Sequence, residues 1–138
     1  MNILIIGATS GIGHNLWQHY VSMGNNVIVA GRRKKLLDDM ERNYPRLTKS
    51  VLCDIAQTDA FNKVFDNIMH AYGRIDLAIV CAGIGELNPK LNIETELSTL
   101  SVNVAGWVNA VSSIYRHFER QGKGHLVTIT SVGGLQPS

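Results

Sequence analysis

The stretch Gly7-Ala8-Thr9-Ser10-Gly11-Ile12-Gly13 decides the fold, because it stands between an apolar run and a segment of helical periodicity. Residues 3–6 before it are all aliphatic, as expected of a parallel strand that is buried on both faces. Apolar residues recur at helical spacing after it, and Gly24 suits a helix end in the left-handed conformation. Where a strand, a glycine turn and a helix follow one another, the free N–H groups at the start of the helix can bind a pyrophosphate. The stretch therefore predicts a phosphate-binding turn.

The glycine spacing in this turn is G-x-x-x-G-x-G, which differs from the general dinucleotide spacing G-x-G-x-x-G. We expect glycine here because a side chain would block the approach of the ligand. Three glycines by themselves are equally consistent with a tight turn that binds nothing. The other strand ends decide between these interpretations, because ligand sites in parallel sheets draw on several of them.

Composition predicts one globular domain over residues 1–138, since 45% of the residues are hydrophobic and 17% are charged. The net charge of +2 gives no reason to expect a nucleic-acid partner. Neither a membrane span nor a signal peptide is apparent, so we expect a cytoplasmic protein. Cys53 and Cys81 form no C-x-x-C pair and the histidines lack ligand spacing, so no metal site is expected.

Four further apolar runs alternate with helical segments, which predicts strands at residues 27–30, 50–53, 77–81 and 125–130. This alternation is typical of right-handed βαβ crossovers and therefore of an α/β fold, a Rossmann-type doubly wound parallel sheet of about five strands. The glycine turn, Arg32, Asp54, Gly83 and Ser131 follow the predicted strands. Because ligands bind beyond the carboxyl ends of such strands, this coincidence favours a ligand site over an empty turn.

The helical segments are predicted from apolar stripes. Thr58 is expected to cap the helix that ends near Tyr72, and a short helix is expected near Glu94 to Leu100. The second helix is expected to stop before a proline and to bury one face, formed by Leu36, Leu37, Met40 and Tyr44. The last helix is predicted with a stripe of Val104, Trp107, Val108, Val111, Ile114, Tyr115 and Phe118, leaving Val102, Ala105 and Ala110 off it.

Residues after the second strand predict which dinucleotide binds. A carboxylate there would bind the ribose hydroxyls of NAD, whereas a cation accommodates the phosphate of NADP. The chain has Gly31-Arg32-Arg33 and no acid at this position. Because a guanidinium binds phosphate in a bidentate manner, NADP (NADPH) is favoured over NAD, with Arg32 as the preferred ligand. Lys34 and Lys35 are expected to be a solvated helix start.

These motifs, in this order, resemble the N-terminal part of a short-chain dehydrogenase/reductase across the whole chain. The family's T-G-x-x-x-G-x-G is matched from Ile6 to Gly13, with isoleucine in place of threonine. Its aspartate after the third strand, which meets the adenine, is matched by Asp54. Its N-N-A-G is replaced by Val80-Cys81-Ala82-Gly83, so both asparagines are missing. The resemblance implies cofactor contacts from Gly7, Thr9, Ser10, Gly11, Ile12, Gly13, Arg32, Arg33, Asp54, Ile55, Cys81, Ala82 and Gly83.

Two catalytic residues are implied by the same resemblance. The family's catalytic asparagine is matched by Asn103 in S-V-N-V-A-G, and its serine by Ser131 in I-T-S-V-G-G. Ser131 would hydrogen-bond the substrate carbonyl or alcohol, and Asn103 would hold a water in a proton relay. A turn serine and an ordinary helical asparagine are the alternatives for each residue taken alone.

The implied function is hydride transfer between NADP(H) and a small-molecule carbonyl or alcohol, by an oxidoreductase. The family's Tyr-x-x-x-Lys is absent from these 138 residues, so the chain is interpreted as a truncated portion of a longer enzyme, inactive alone. A non-catalytic NADP(H)-binding module or interaction protein, and a ligand-free Rossmann-like domain, stay open as alternatives. By resemblance, the helix from Val102 to Phe118 lies at the family's main dimer contact. Its apolar surface is therefore expected to be covered by self-association, as a homo-oligomer, or by a remainder of the protein.

Overall fold

The structure, a computed structural model, describes residues 1–84 and 88–130, and along them strands alternate with helices. The strands are β1 (Asn2–Ile6), β2 (Asn26–Gly31), β3 (Thr48–Leu52), β4 (Leu77–Val80) and β5 (His125–Thr128). The helices are α1 (Gly11–Ser22), α2 (Lys34–Asn43), α3 (Thr58–Tyr72), α4 (Ile93–Leu100) and α5 (Trp107–Gln121). A π-helical turn over Ser101–Gly106 joins α4 to α5.

The strands form one sheet, in the order β3-β2-β1-β4-β5, and every neighbouring pair is parallel. The chain runs outward from β1 to β3 and then returns to the other side of β1 with β4. A crevice opens at such a reversal of strand order, beyond the carboxyl ends of the strands. The predicted doubly wound parallel sheet is therefore confirmed, and it places a crevice between β1 and β4.

Helices cover both faces of the sheet, because alternate residues of its central strands belong to two separate cores. In β1, Ile3 and Ile5 pack with the buried residues of α1 and α2, among them Trp17. Leu4 and Ile6 belong to the core on the opposite face, which α3 and α5 complete. Burial on both faces explains why the strands are continuous apolar runs without polar alternation.

Contacts between backbones hold the glycine turn at the crevice. Gly7 has a φ of +85°, and a Cβ built on it would lie 2.6 Å from the backbone nitrogen of Ala82, just after β4. A Cβ on Gly13 would overlap the carbonyl oxygen of Gly7. Glycine is thus required at both positions by packing within the protein. The expectation that glycine in this turn also leaves room for a ligand stays a prediction.

The predicted buried face of α2 and the predicted cap of α3 each need a correction. Leu36 and Tyr44 were expected on the buried face of α2, but both are exposed, while Leu37 and Met40 are buried. Tyr44 follows the end of the helix and packs edge-on against Trp17, with 5.6 Å between ring centroids. Thr58 does not cap α3.

Asp54 forms the turn before α3, and this turn takes the place of a cap by Thr58. Its carboxylate oxygen Oδ1 accepts a hydrogen bond from the Ala56 N–H at 3.0 Å, and its carbonyl oxygen accepts one from the Gln57 N–H at 3.0 Å. Thr58 is already the first residue of the helix and makes no side-chain cap hydrogen bond. The chain therefore enters α3 through a turn that a single aspartate stabilises.

The core-facing stripe of the last helix was predicted correctly only in part: Ile114 and Phe118 are buried, and Trp107 and Val111 pack against the core. Val102 and Ala110, which were assigned off the stripe, are buried, whereas Val104, Val108 and Tyr115 are exposed. The π-helical turn changes the phase only for Val102 and Val104, which lie within it. Val108, Ala110 and Tyr115 lie in the regular helix α5, where the wrong apolar residues were assigned to the buried face. Every fourth residue faces the sheet, a series formed by Val102, Gly106, Ala110, Ile114 and Phe118.

The packing of the glycine turn predicts different costs for alanine at two glycines of nearly equal φ. Gly24 has a φ of +83° and nothing within 4 Å of the position that a Cβ would take, so Gly24→Ala carries backbone strain alone, about 1–2 kcal/mol. Gly7→Ala adds the clash with the Ala82 backbone, and we expect a further loss of about 1–3 kcal/mol in the free energy of unfolding. Urea denaturation of both variants measures the difference. Equal losses would contradict the packing described here.

Candidate cofactor-binding cleft

A cleft of about 540 Å³ lies in the crevice at the carboxyl ends of the strands. Its walls come from the glycine turn, from the ends of β2 and β3, and from the segment after β4. Every residue expected from the sequence to contact a cofactor lines it. These residues are Gly7, Thr9, Ser10, Gly11, Ile12, Gly13, Arg32, Arg33, Asp54, Ile55, Cys81, Ala82 and Gly83. The structure therefore brings four separate stretches of sequence to one cavity.

The cleft also has lining residues that sequence reasoning missed, namely Ile6, Gly31, Cys53, Ile84, Val102 and Ile129. Most of them end a strand or directly follow one. Strand register is the signal that could have found them, because the last residues of parallel neighbours meet at one edge. Val102 is different, since only the π-helical turn brings it to the cleft.

The start of α1 supplies donors for an anion. In an α-helix the first N–H groups have no partner within the helix, and the helix dipole adds a partial positive charge there. Gly11, Ile12 and Gly13 form this first turn and all line the cleft. Gly11 has a φ of +59° and nothing within 4 Å of the position of a Cβ, so its backbone is open to an approaching group. This end of the cleft can bind a phosphate.

A contact between the glycine turn and the end of β2 fixes one of the two arginines. The Arg33 guanidinium donates two hydrogen bonds to Oγ1 of Thr9, from Nε at 3.1 Å and from Nη2 at 2.9 Å. Lys34 instead pairs with Asp38 at 2.8 Å along the surface of α2, as expected of a solvated helix start. Two guanidinium groups, those of Arg32 and Arg33, therefore stand at the cleft.

The far wall of the cleft is formed where the segment after β3 meets the π-helical turn. Asp54 and Ile55 lie on this wall. A Cβ on Gly106 would lie 2.6 Å from the carbonyl oxygen of Ile55, so the absence of a side chain at Gly106 allows the two backbones to touch. Val102, in the same π-helical turn, belongs to the same core as Ile55 and also lines the cleft. The wall combines one carboxylate with apolar side chains, an environment that suits a planar base.

Asn103 holds the segment after β4. Its side-chain oxygen Oδ1 accepts a hydrogen bond from the Ile84 N–H at 2.8 Å, and its Nδ2 donates to the Ile84 carbonyl oxygen at 2.6 Å. This two-point contact ties the π-helical turn to the edge of the cleft. Ser131, the other residue expected to be catalytic, lies outside the described residues.

Two thiols, those of Cys53 and Cys81, lie at the cleft. Burial, with a smaller contribution from the neighbouring Asp54 carboxylate, raises the pKa of the Cys53 thiol to about 11. Burial also raises the pKa of Cys81 above the usual value for cysteine. Because the thiolate is the reactive form, both shifts disfavour reactivity at neutral pH. Cys53 is buried and Cys81 is half-buried.

Residues 1–84 and 88–130 contain neither a candidate metal site nor a candidate membrane-spanning helix. Nowhere in these ranges do three or more histidine, cysteine or acidic side chains come together in a way that could hold a metal ion. Of the helices within them, none combines the length and the apolar character that crossing a membrane requires.

Two solved structures of dehydrogenases have the same fold as this chain. A short-chain dehydrogenase from Streptomyces avermitilis superposes with a TM-score of 0.89 at 25% identity, covering 98% of this chain and 51% of that one. A serine dehydrogenase complexed with NADP+ superposes with a TM-score of 0.91 at 23% identity, covering 100% of this chain and 57% of that one. About half of each of these two chains corresponds to the fold described above.

Comparison of the sequence with known proteins shows the family to which the chain belongs. An uncharacterized oxidoreductase from Staphylococcus epidermidis is 23% identical over 138 residues, which is 98% of this chain and 60% of the relative. The chain spans 44% to 60% of the length of the curated relatives it matches. A family model described as short chain dehydrogenase matches residues 1–138. With its fold, its cleft and this match in agreement, the chain belongs to the short-chain dehydrogenase family.

Proposed function

We propose that residues 1–138 form the cofactor-binding part of an oxidoreductase that transfers hydride between NADP(H) and a small-molecule carbonyl or alcohol. The observation that carries this proposal is the meeting of a helix start, open to a phosphate, with two guanidinium groups in one cleft. Membership of the short-chain dehydrogenase family supports the reaction class. A nicotinamide dinucleotide would supply the hydride donor or acceptor.

The cleft fits a dinucleotide phosphate in both shape and charge. Gly11 leaves open space where any other residue would place a Cβ. Among the described lining residues, the charged side chains are Arg32, Arg33 and Asp54, so the cleft carries a net positive charge. N–H groups at the start of α1 would bind the pyrophosphate. Asp54 and Ile55 would meet the adenine at the opposite wall.

The choice of NADP(H) over NAD(H) rests on the end of β2. A carboxylate at this place binds the ribose hydroxyls of NAD, whereas an arginine nearby accommodates the additional phosphate of NADP. The chain has Arg32 and Arg33 here, and both line the cleft. The serine dehydrogenase of the same fold is complexed with NADP+, which agrees with a nicotinamide dinucleotide in this cleft.

Asn103 and Ser131 would act at the substrate end. Each end of the Asn103 amide bonds to Ile84, which fixes the side chain. An amide oxygen accepts two hydrogen bonds and its NH2 group donates two, so one site remains at each end for the water of the proposed proton relay. Ser131 would donate its hydroxyl to the substrate oxygen.

The arginine assignment predicts a specific loss of NADPH affinity. We expect the unmutated protein to bind NADPH more tightly than NADH. Arg33→Ala should weaken NADPH about tenfold to a hundredfold and leave NADH nearly unchanged, because hydrogen bonds to charged groups contribute about 1.5–3 kcal/mol. Arg32→Ala should shift the preference in the same direction. Dissociation constants from calorimetric titration with each cofactor measure these changes.

Lys35→Ala is the matched control, since it removes one positive charge from the same helix start at a side chain outside the cleft lining. It should change the affinity for NADPH by no more than about twofold, the effect of a screened surface charge. The assignment is contradicted by equal affinities of the unmutated protein for NADPH and NADH, or by a Lys35→Ala effect as large as that of Arg33→Ala.

We further propose that a second copy of the chain covers the outer face of the helix running from α4 to α5. This face presents apolar side chains that are half exposed or more, namely Leu97, Leu100, Val104, Val108 and Tyr115. Contiguous apolar side chains of this kind mark interaction sites. The family resemblance supports a copy of the same chain as the partner.

An aspartate on this face should prevent self-association. Val108→Asp would place a charge at the centre of the buried contact, where an unpaired charge is costly. We expect sedimentation velocity to show an oligomer for the unmutated protein and a monomer for the variant. Met23→Asp is the control, because Met23 is also exposed but lies beyond α1 on the other side of the sheet. A monomeric unmutated protein would refute the proposal.

A further inference from the structure

We propose that Thr9 is a positioning residue, which fixes the Arg33 guanidinium for the 2′-phosphate of NADP(H). This inference rests on the proposed function, since it concerns the same cofactor and the same arginine. It assigns cofactor selectivity to a pair of side chains, one in the glycine turn and one after β2. Thr9 contributes through Arg33, and its own contact with the cofactor is not required.

The geometry of the pair leaves Arg33 able to bind a phosphate. Thr9 Oγ1 accepts hydrogen bonds from Nε and Nη2, at 3.1 and 2.9 Å, which occupy one edge of the planar guanidinium. The N–H groups of the other edge, on Nη1 and Nη2, stay available in the fork arrangement that suits bidentate phosphate binding. Because the threonine hydroxyl is neutral, it restrains the guanidinium without neutralising its charge.

Thr9 is itself fixed by the end of β2. A Cβ built on Gly31 would lie 3.0 Å from the Thr9 methyl carbon Cγ2 and 3.7 Å from Oγ1, so the methyl group occupies the space that Gly31 leaves. The N–H of Ala8, next to Thr9, donates to the Ala30 carbonyl oxygen at 3.3 Å. The hydroxyl of Thr9 is thereby directed toward Arg33.

The backbone of Arg33 is fixed independently of Thr9. Its carbonyl oxygen accepts a hydrogen bond from the Leu37 N–H at 3.1 Å, which begins α2, and the Leu37 side chain is buried in the core. Only the long side chain of Arg33 would otherwise be mobile. An arginine loses rotamer freedom when it binds a phosphate, and a contact that restricts it beforehand reduces this loss.

Titrations of NADPH and NADH into five proteins test the inference: the unmutated chain, Thr9→Val, Thr9→Ser, Arg33→Ala and the double variant Thr9→Val/Arg33→Ala. Valine keeps the shape and the methyl group of threonine but replaces the hydroxyl with a second methyl, which cannot accept a hydrogen bond. We expect Thr9→Val to weaken NADPH about fivefold to tenfold and to change NADH by less than about twofold. Thr9→Ser, which keeps the acceptor, should stay close to the unmutated protein.

The double variant separates positioning from direct contact. If Thr9 acts through Arg33, Thr9→Val has no further effect once Arg33 is alanine, and the double variant binds NADPH as Arg33→Ala does. Additive losses would overturn the inference, because they mean that Thr9 binds the cofactor itself. A Thr9→Val protein with unchanged NADPH affinity, or with equal losses for NADPH and NADH, would also overturn it.

These outcomes are distinct from a failure of the proposed function. An unmutated protein without preference for NADPH, or an Arg33→Ala protein that keeps the preference, overturns both the NADP assignment and the role of Thr9. A preference that depends on Arg33 but not on Thr9 overturns only the present inference. Gly31→Ala provides a second route to the same question, since its Cβ would displace the Thr9 methyl and should lower NADPH affinity with all charges unchanged.

Discussion

The backbone contact between the glycine turn and the segment after β4 is the constraint on which the rest of the cleft depends. The Gly7 N–H donates to the Ala30 carbonyl oxygen at 2.9 Å, and the missing side chain lets Gly7 lie against Ala82. One residue thereby joins the carboxyl ends of β2, β1 and β4. Because α1 begins directly beyond this turn, its free N–H groups are fixed relative to all three strands, and the anion site is fixed with them.

A second junction closes the opposite wall, and it depends on the π-helical turn. Gly106 touches the Ile55 backbone, while Asn103 bonds to both backbone groups of Ile84. The extra residue in each turn of a π-helix places Val102 in the cleft and Asn103 at its rim. The segments after β3 and β4 are thus connected by one irregular piece of helix. Such irregular turns occur frequently at functional sites.

The sheet and the location of the cleft could be predicted from the sequence, because buried parallel strands are continuous apolar runs and their ends converge. The strands, the glycine turn and the lining residues expected from it were found in this way. The stripe of the last helix could be predicted only in part, because the apolar residues there are too dense to show which side faces the sheet and because the sequence does not show the π-helical turn that contains Val102 and Val104. The contact between Thr9 and Arg33 was also missed, because it joins residues distant in sequence through side-chain geometry. Arg32 was preferred over Arg33 on strand position alone, and this preference stays a prediction.

A crystal structure of the protein with NADPH bound tests the central claim most directly. We predict that the pyrophosphate lies within hydrogen-bond distance of the N–H groups at the start of α1, around Gly11 to Gly13. The 2′-phosphate should contact the Arg33 guanidinium while that group keeps its bonds to Thr9. A cofactor bound with its pyrophosphate away from the glycine turn, or with its 2′-phosphate away from both arginines, would contradict the account.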